Sequence, residues 1–253
     1  MLARQADRIW ETWGHSDPYY AVLTSDEFHR DKLTDQSRDA FFRSGEIHIQ
    51  MVLQWARDHL KKSFQPTRAL DFGCGVGRLV LPLSRICQSV VGVDVSPGML
   101  SEARENCRRY GRDNVELVLS DDDLARVSGT FDFIHSVIVF QHVPPPRGLS
   151  VLRAMLGKLN PGGIAALHFT LGRKAPVFRK LIHWCKKNVP LANRVSNVLQ
   201  GRPASTPLIP MYSYDLNVIA DILHANGCHQ TMIQWSEASG YLGAFLFFRK
   251  DPA

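Results

Sequence analysis

No apolar run in this 253-residue chain approaches the roughly 18 residues that a membrane-crossing helix needs. The N-terminus, Met1-Leu2-Ala3-Arg4-Gln5-Ala6-Asp7, has no apolar signal core. The five cysteines, Cys74, Cys87, Cys107, Cys185 and Cys228, are odd in number, widely spaced and free of any C-x-x-C pair, which argues against a disulfide framework. Together these absences predict a cytoplasmic protein with reduced thiols. The ten histidines form no H-E-x-x-H and no paired Cys/His cluster, so no metal is expected. Internal repeats and low-complexity segments are also missing. What remains, at 45% apolar, suits one large α/β domain with added elements and ample core.

Acidic residues are missing from one stretch. Between Phe133 and Tyr214 there is no Asp or Glu, while eleven Lys and Arg occur there. The whole chain holds 30 basic and 24 acidic residues, so the stretch carries +11 and everything outside it −5. Such a field attracts anions, and predicts an anionic small-molecule acceptor or an anionic membrane surface as partner. Nucleic acid fits less well, because aromatic side chains are not interleaved with the charges as strand stacking requires.

The residues that are present point to a nucleotide fold. Leu70-Asp71-Phe72-Gly73-Cys74-Gly75-Val76-Gly77-Arg78 lies between a short apolar lead-in and the apolar helical run Leu79, Val80, Leu81 and Leu83. That is a strand, a glycine turn and a helix. Gly73 and Gly75 remove side chains where a ligand touches backbone, and Gly77 lets the helix pack on the strand. The spacing is tighter than the G-x-G-x-x-G that cradles a pyrophosphate. Asp71 would repel a pyrophosphate and suits a cationic nucleoside such as S-adenosylmethionine (SAM). A second buried strand, Ser89 to Asp94, ends in an acid placed for ribose hydroxyls. A third, Val115 to Leu119, ends in Ser120-Asp121-Asp122, with Asp121 set to accept from an adenine amino group. A fourth runs from Phe131 to Phe140 and enters Gln141-His142-Val143-Pro144. A helix from Leu149 to Leu159 leads to Asn160-Pro161-Gly162-Gly163 and a fifth strand, Ile164 to Phe169.

In this order, over roughly residues 66 to 170, the chain resembles the class I SAM-dependent methyltransferases. The resemblance implies a Rossmann-like sheet of seven mostly parallel strands with helices on both faces, SAM as cofactor and S-adenosylhomocysteine (SAH) as product. It implies a cofactor set of Asp71, Gly73, Cys74, Gly75, Gly77, Asp94, Val95, Asp121, Asp122 and Ser136. Ile47, Met51, Val52, Trp55 and Leu60 at helical spacing predict a helix from about Ser44 through Leu60, and the resemblance implies that residues 1–65 form an N-terminal helical lid with Phe41, Phe42 and Arg43 near cofactor or acceptor. The methyltransferase domain then occupies 66–253. Within it, Asp215 caps a helix ended by Gly227, and His229–Trp235 and Tyr241–Phe248 form an antiparallel edge pair.

Residues 172–203 exceed an ordinary loop after the fifth strand. They read as a basic helical cap, apolar on one face and carrying Arg179, Lys180, Lys186 and Lys187 on the other. Two readings stay open: a cap packed on the domain, or an interfacial helix over 176–189 that docks on anionic membrane. Arg173 and Lys174 at its start are expected to steer substrate.

The SAM methyl is already activated, so the protein has to align a nucleophile, exclude water and remove a proton if the acceptor is a hydroxyl. His142 after the fourth strand and His168 near the end of the fifth are the candidate bases, with Gln141 beside the acceptor. His135, in mid-strand, reads as core. Phe140-Gln141-His142 and His168 also resemble, in placement, residues of the fatty-acyl cyclopropane synthases and mycolic-acid methyltransferases, where a glutamate stands at the position of Gln141. The expected reaction is methyl transfer to a hydroxyl of an anionic or glycosylated metabolite. A lipid or glycolipid acceptor, or a non-catalytic SAM-binding protein, are the alternatives.

Overall fold

The computed structural model describes residues 2–174, 189, 195–196, 209–238 and 240–252. Cys185 and most of the 172–203 cap, including Arg179, Lys180, Lys186 and Lys187, lie outside the described residues.

Five parallel strands form the centre of the sheet: β1 (Arg68–Phe72), β2 (Ser89–Asp94), β3 (Val115–Leu119), β4 (Phe131–Ser136) and β5 (Leu159–Arg173). A hairpin of β6 (Gln230–Ala238) and β7 (Tyr241–Arg249) completes seven strands in the order β3-β2-β1-β4-β5-β7-β6, with β7 antiparallel to both neighbours. The chain moves outward from β1 to β3, then crosses back to lay β4 on the other side of β1. The crevice at that reversal, beyond the strand C-termini, is where open α/β sheets bind ligands.

Helices cover both faces, so the inner strands are apolar almost throughout. On one face α3 (Asp35–His59), α4 (Val80–Ile86) and α5 (Pro97–Arg109) bury Phe133, Ile164, Ala166, Phe245 and Phe247. On the other, α6 (Pro145–Lys158) and α7 (Leu216–Ala225) bury Leu70, Ile134, Leu167 and Phe248. Strand alternation assigns each neighbour to an opposite face. In β1, Ala69 faces the α3 side while Leu70 and Phe72 face α6.

Two local differences from the sequence reading have clear causes. α3 starts at Asp35 rather than near Ser44, because Thr34 and Ser37 form a reciprocal cap: Ser37 N donates to Thr34 Oγ1 at 3.1 Å and Thr34 N donates to Ser37 Oγ at 2.9 Å. A serine thus performs the task usually given to glutamate or glutamine three residues into a helix. β4 stops at Ser136 instead of running to Phe140, because Ile138 turns into the left-handed region at φ +62°.

Two further helices, α1 (Leu2–Ser16) and α2 (Pro18–Val22), precede α3. Glu11 on α1 accepts from Ser96 Oγ at 2.6 Å and from Gly98 N at 3.2 Å. It therefore sits on the exposed amides at the start of α5, where a negative charge is favourable. Burial pushes the Glu11 carboxyl up, but the bonds from Ser96, Gly98 and His15 outweigh it and its pKa is lowered.

α3 crosses the segment after the glycine turn at Gly45, where a Cβ would lie 2.2 Å from the Arg78 carbonyl oxygen. Gly45→Ala should therefore destabilise the fold by about 1–3 kcal/mol, the usual scale of overpacking, read as a lowered midpoint in urea denaturation. An unchanged midpoint would mean that α3 does not pack this closely.

Candidate cofactor cavity

Beyond β1 the backbone turns through Gly73 (φ +74°) and Gly75 (φ +53°). A Cβ on Gly73 would stand 2.3 Å from Val139 Cγ2, and one on Gly75 would stand 2.7 Å from Val22 Cγ2. Only glycine suits both the left-handed conformation and the close approach. Asp94, at the end of β2, ties this turn to the next loop: its Oδ2 accepts from Gly75 N and its Oδ1 from Ser96 N, each at 2.9 Å. Burial raises its pKa to about 6, opposed by the Ser96 and Gly75 amides. An ionised carboxylate offers about four acceptor sites, so these amides leave acceptor capacity for a hydroxyl donor.

Above the turn lies a cavity of about 880 Å³, open solvent at its mouth included. Its floor comes from the strand ends, with Phe72, Gly73, Gly75, Asp94 and Val95. One side is Met99, Ser120 and Asp122, and the other is Val137, Ile138, Val139, His142 and Val143. α1 and α2 form the roof, contributing Ala6, Asp7, Trp10, Ala21 and Val22. Arg147, in the first turn of α6, fastens this roof. Its Nη1 lies 2.6 Å from Asp7 of α1, and its Nε 2.5 Å from Asp122 after β3. Among the described residues, the wall carries three carboxylates (Asp7, Asp94 and Asp122) and one arginine already engaged by two of them. Such a wall suits a cationic ligand better than an anionic one.

His142 is held in one tautomer. Its Nδ1 lies 2.9 Å from the Pro210 carbonyl oxygen, which can only accept, so Nδ1 carries the proton. Its Nε2 then accepts from Gln141 Nε2 at 2.9 Å, and Gln141 Oε1 accepts from Thr170 Oγ1 at 3.1 Å. Trp10 meets the ring edge-on with centroids 5.0 Å apart. Burial lowers the His142 pKa to about 4, against the bond to Pro210, so the ring is a neutral acceptor in the physiological range. Beside it, Ile138 is a branched residue at positive φ, a strained conformation, with its side chain 42% exposed at the cavity.

Of the cofactor set, Gly73, Gly75, Asp94, Val95 and Asp122 line the cavity. Gly77 lies against Ala103 of α5, Cys74 is buried beneath the turn, and Ser136 Oγ donates to the Phe72 carbonyl at 2.9 Å. The Asp121 carboxylate accepts from the amides of Ala125 and Arg126, at 2.9 and 3.3 Å, and so serves its own turn. The neighbouring Asp122 faces the cavity instead. Asp71 is turned away as well. It shares the α3 face with Ala69, is 2% exposed, and its Oδ1 lies 3.0 Å from His135 Nδ1. His135 in turn meets His48 of α3, Nε2 to Nε2, at 3.0 Å.

The second candidate base sits apart. His168 faces the α3 side, bonded through Nε2 to Ser236 Oγ of β6 at 2.9 Å and 6.1 Å from the Phe245 ring. Phe41 and Phe42 pack among Tyr19, Phe28 and Tyr110, and Arg43 points to solvent. Arg173 lies over the Tyr241 ring at 5.4 Å, and Lys174 pairs with Glu237 at 3.0 Å. None of these six residues lines the cavity. The roof residues Asp7 and Trp10 and the fastening Arg147 have no motif in the sequence. Arg147 is visible there only as one basic residue of eleven. Among the described residues, no cluster of histidine, cysteine or carboxylate has metal-binding geometry, and no helix is long and apolar enough to cross a membrane.

A methyltransferase-domain family model matches residues 69–163, from β1 into β5. A ubiquinone biosynthesis O-methyltransferase of Ruegeria pomeroyi is 36% identical over 119 residues, 47% of each chain. A demethylmenaquinone methyltransferase of Shouchella clausii is 32% identical over 156 residues, 59% of this chain and 66% of the relative. The match thus spans about half the length of the ubiquinone relative. A magnesium protoporphyrin IX methyltransferase from Synechocystis, solved with bound SAH, shares the fold over 97% of this chain and 100% of its own, with a TM-score of 0.64 at 17% identity.

Burial raises the Asp71 pKa from 3.8 to about 7, with Arg78 opposing. A raised carboxylate stabilises the fold fully below its unfolded pKa and loses that contribution as pH rises through the folded one. Thermal stability should therefore fall from about pH 4 to about pH 7, and Asp71→Asn should flatten that slope in a melting series. A slope unchanged in Asp71→Asn would mean that another group carries it.

Proposed function

Given that this chain belongs to the class I SAM-dependent methyltransferases, we propose that it transfers the SAM methyl group to a hydroxyl oxygen of an uncharged, largely apolar small molecule. The observation that carries this reading is the cavity wall: carboxylates, apolar side chains and, among the described residues, no disengaged cation. SAM fits beside the carboxylates. Gly73 and Gly75 leave room that a Cβ would fill, and Asp94 keeps acceptor capacity for a ribose hydroxyl. Asp122 and Val95 flank the nucleoside side. When bound, SAM supplies a methyl group on a positively charged sulfur, ready for in-line displacement.

The chain's own residues do the rest. α1 and α2 roof the cavity and exclude water, with Trp10 packed on His142. Val137, Ile138, Val139 and Val143, at the end of β4, offer an apolar surface to an acceptor. This part of the wall lies across β1 from Asp94 and Asp122. His142 Nε2 receives the hydroxyl proton once Gln141 Nε2 turns aside. With its pKa lowered to about 4 it is a weak base, adequate for the strongly acidic oxonium formed as the methyl arrives. Relatives named for ubiquinone biosynthesis and for demethylmenaquinone methylation are consistent with a quinone-like class of acceptor. The anionic acceptor expected from net charge finds less support, because Arg147 is held by Asp7 and Asp122. Docking on anionic membrane through 176–189 concerns residues outside those described.

Two measurements test this reading. Asp94→Ala should weaken SAH binding at least about tenfold, by analogy with other lost charge-assisted hydrogen bonds, in isothermal titration. Unchanged affinity would remove Asp94 from the site. His142→Gln should lower kcat by roughly 10²–10⁴ with SAH affinity retained, in an assay of SAH release with polyprenylated and unprenylated hydroxyarenes against phosphorylated and carboxylated ones. Turnover confined to the charged acceptors would overturn the apolar class, and SAM binding without turnover of any of them would favour a non-catalytic role.

A further inference from the structure

We propose that His48 and His135 are positioning residues of the cofactor site: the row His48–His135–Asp71 governs the charge beneath the glycine turn, and with it the preference of the cavity for a sulfonium ligand over its neutral thioether product. The inference rests on the SAM reading above. It begins from an oddity of the fold, in that the acid expected to face the ligand is instead buried against a histidine pair.

The geometry restricts the protons. His48 and His135 meet nitrogen to nitrogen at 3.0 Å, and His135 Nδ1 meets Asp71 Oδ1 at 3.0 Å. Each link needs one proton between its two atoms. Two arrangements satisfy both links with both rings neutral. In the first, ionised Asp71 accepts the Nδ1–H of His135, whose bare Nε2 accepts from the Nε2–H of His48. In the second, protonated Asp71 donates to His135 Nδ1, the Nε2–H of His135 donates to His48 Nε2, and His48 keeps its proton on Nδ1. Passing from the second to the first shifts one proton along each link and releases one from His48 Nδ1. One proton leaves the protein and one negative charge appears on Asp71. Half-buried His48 is thus the outer end of a route by which a carboxylate 2% exposed exchanges its proton.

The surroundings favour this use. Burial keeps both rings neutral, pulling the pKa of His135 to about 3 and that of His48 to about 2, with Arg78 acting in the same direction on each. Phe245 of β7 closes the row, stacked on His48 and edge-on to His135, each with centroids 6.0 Å apart. The other charged or titratable groups near the row are few. Arg78, beyond the glycine turn, favours the Asp71 anion, ionised Asp94 of β2 disfavours it, and the buried Cys74 thiol of the turn stays neutral beside it. His168 of β5 faces His48 and is itself bonded to Ser236 of β6. Asp71 also raises the pKa of Asp94, so its charge is felt at the cavity wall. SAM and SAH differ by one positive charge at sulfur. An anion beneath the turn attracts the first and is indifferent to the second.

The test is isothermal titration of the full chain with SAM and with SAH between about pH 6 and about pH 8.5, the window in which such a group titrates. In the wild type the ratio of SAM to SAH affinity should rise at least about threefold across that range. Asp71→Asn should remove the rise, which also subtracts any titration of the ligands' own amino groups. His48→Phe, which fills the space without a donor, should displace the rise to higher pH or abolish it. His48→Gln, whose amide N–H can replace the donor, should restore it. A wild-type ratio that does not change with pH, or a His48→Phe profile matching the wild type, overturns the proposal. Should His48→Phe fail to fold, nitrogen-15 shifts of the wild-type imidazoles decide. An exchange of the protonated nitrogen in His135 through neutral pH supports the row, and a fixed tautomer overturns it. Absence of binding by both ligands at every pH overturns the SAM reading itself, and the proposal with it.

Discussion

The site depends on one carboxylate. Asp94 holds Gly75 N with one oxygen and Ser96 N with the other, and so fixes the glycine turn after β1 against the loop that opens α5. The first loop forms the floor of the cavity. The second carries Ser96 and Gly98, to which Glu11 anchors the roofing helix α1. Floor and roof are therefore positioned from the same short segment. An acid in this place works as scaffold while keeping acceptor sites for a ligand, which is why a single strand-end aspartate reaches so far into the architecture.

The roof gives the cavity its electrostatic character. Without α1, the wall would present Arg147 opposite Asp122 alone. With α1 in place Asp7 joins them, and the arginine is enclosed between two acids. Among the described residues, the one cation that the basic stretch brings to the wall is thus neutralised there. Net charge over eighty residues and charge at the wall of a cavity are separate quantities, and they differ in sign here.

Much of the fold could be read from residue order alone, because each strand carries its own local signals: an apolar run, a terminal acid and a turn. The glycine turn, Asp94 and the α7 cap at Asp215 belong to this class. Orientation was harder. Asp71 and His168 were expected at the ligand, yet both face α3, since strand parity separates residues into two sets without saying which set meets the cavity. Asp121 and Asp122 pose the same problem across one peptide bond, and the amides of Ala125 and Arg126 claim the first. The roof was least legible of all. Asp7 and Arg147 are 140 residues apart, and no pattern near either residue announces the other.

Ile138 has a bearing on how variants of this protein should be understood. Its backbone sits where branched side chains are strained, held there by Val139 packed against Gly73 and by Phe140 packed between Phe72 and Phe169. Residues tolerant of that backbone, glycine first and asparagine next, relax the chain while removing part of the cavity wall. A search for thermostable variants would therefore tend to select changes at this position, and each would reshape the surface offered to an acceptor. Stability and selectivity are coupled at one residue, so neither can be tuned there without altering the other.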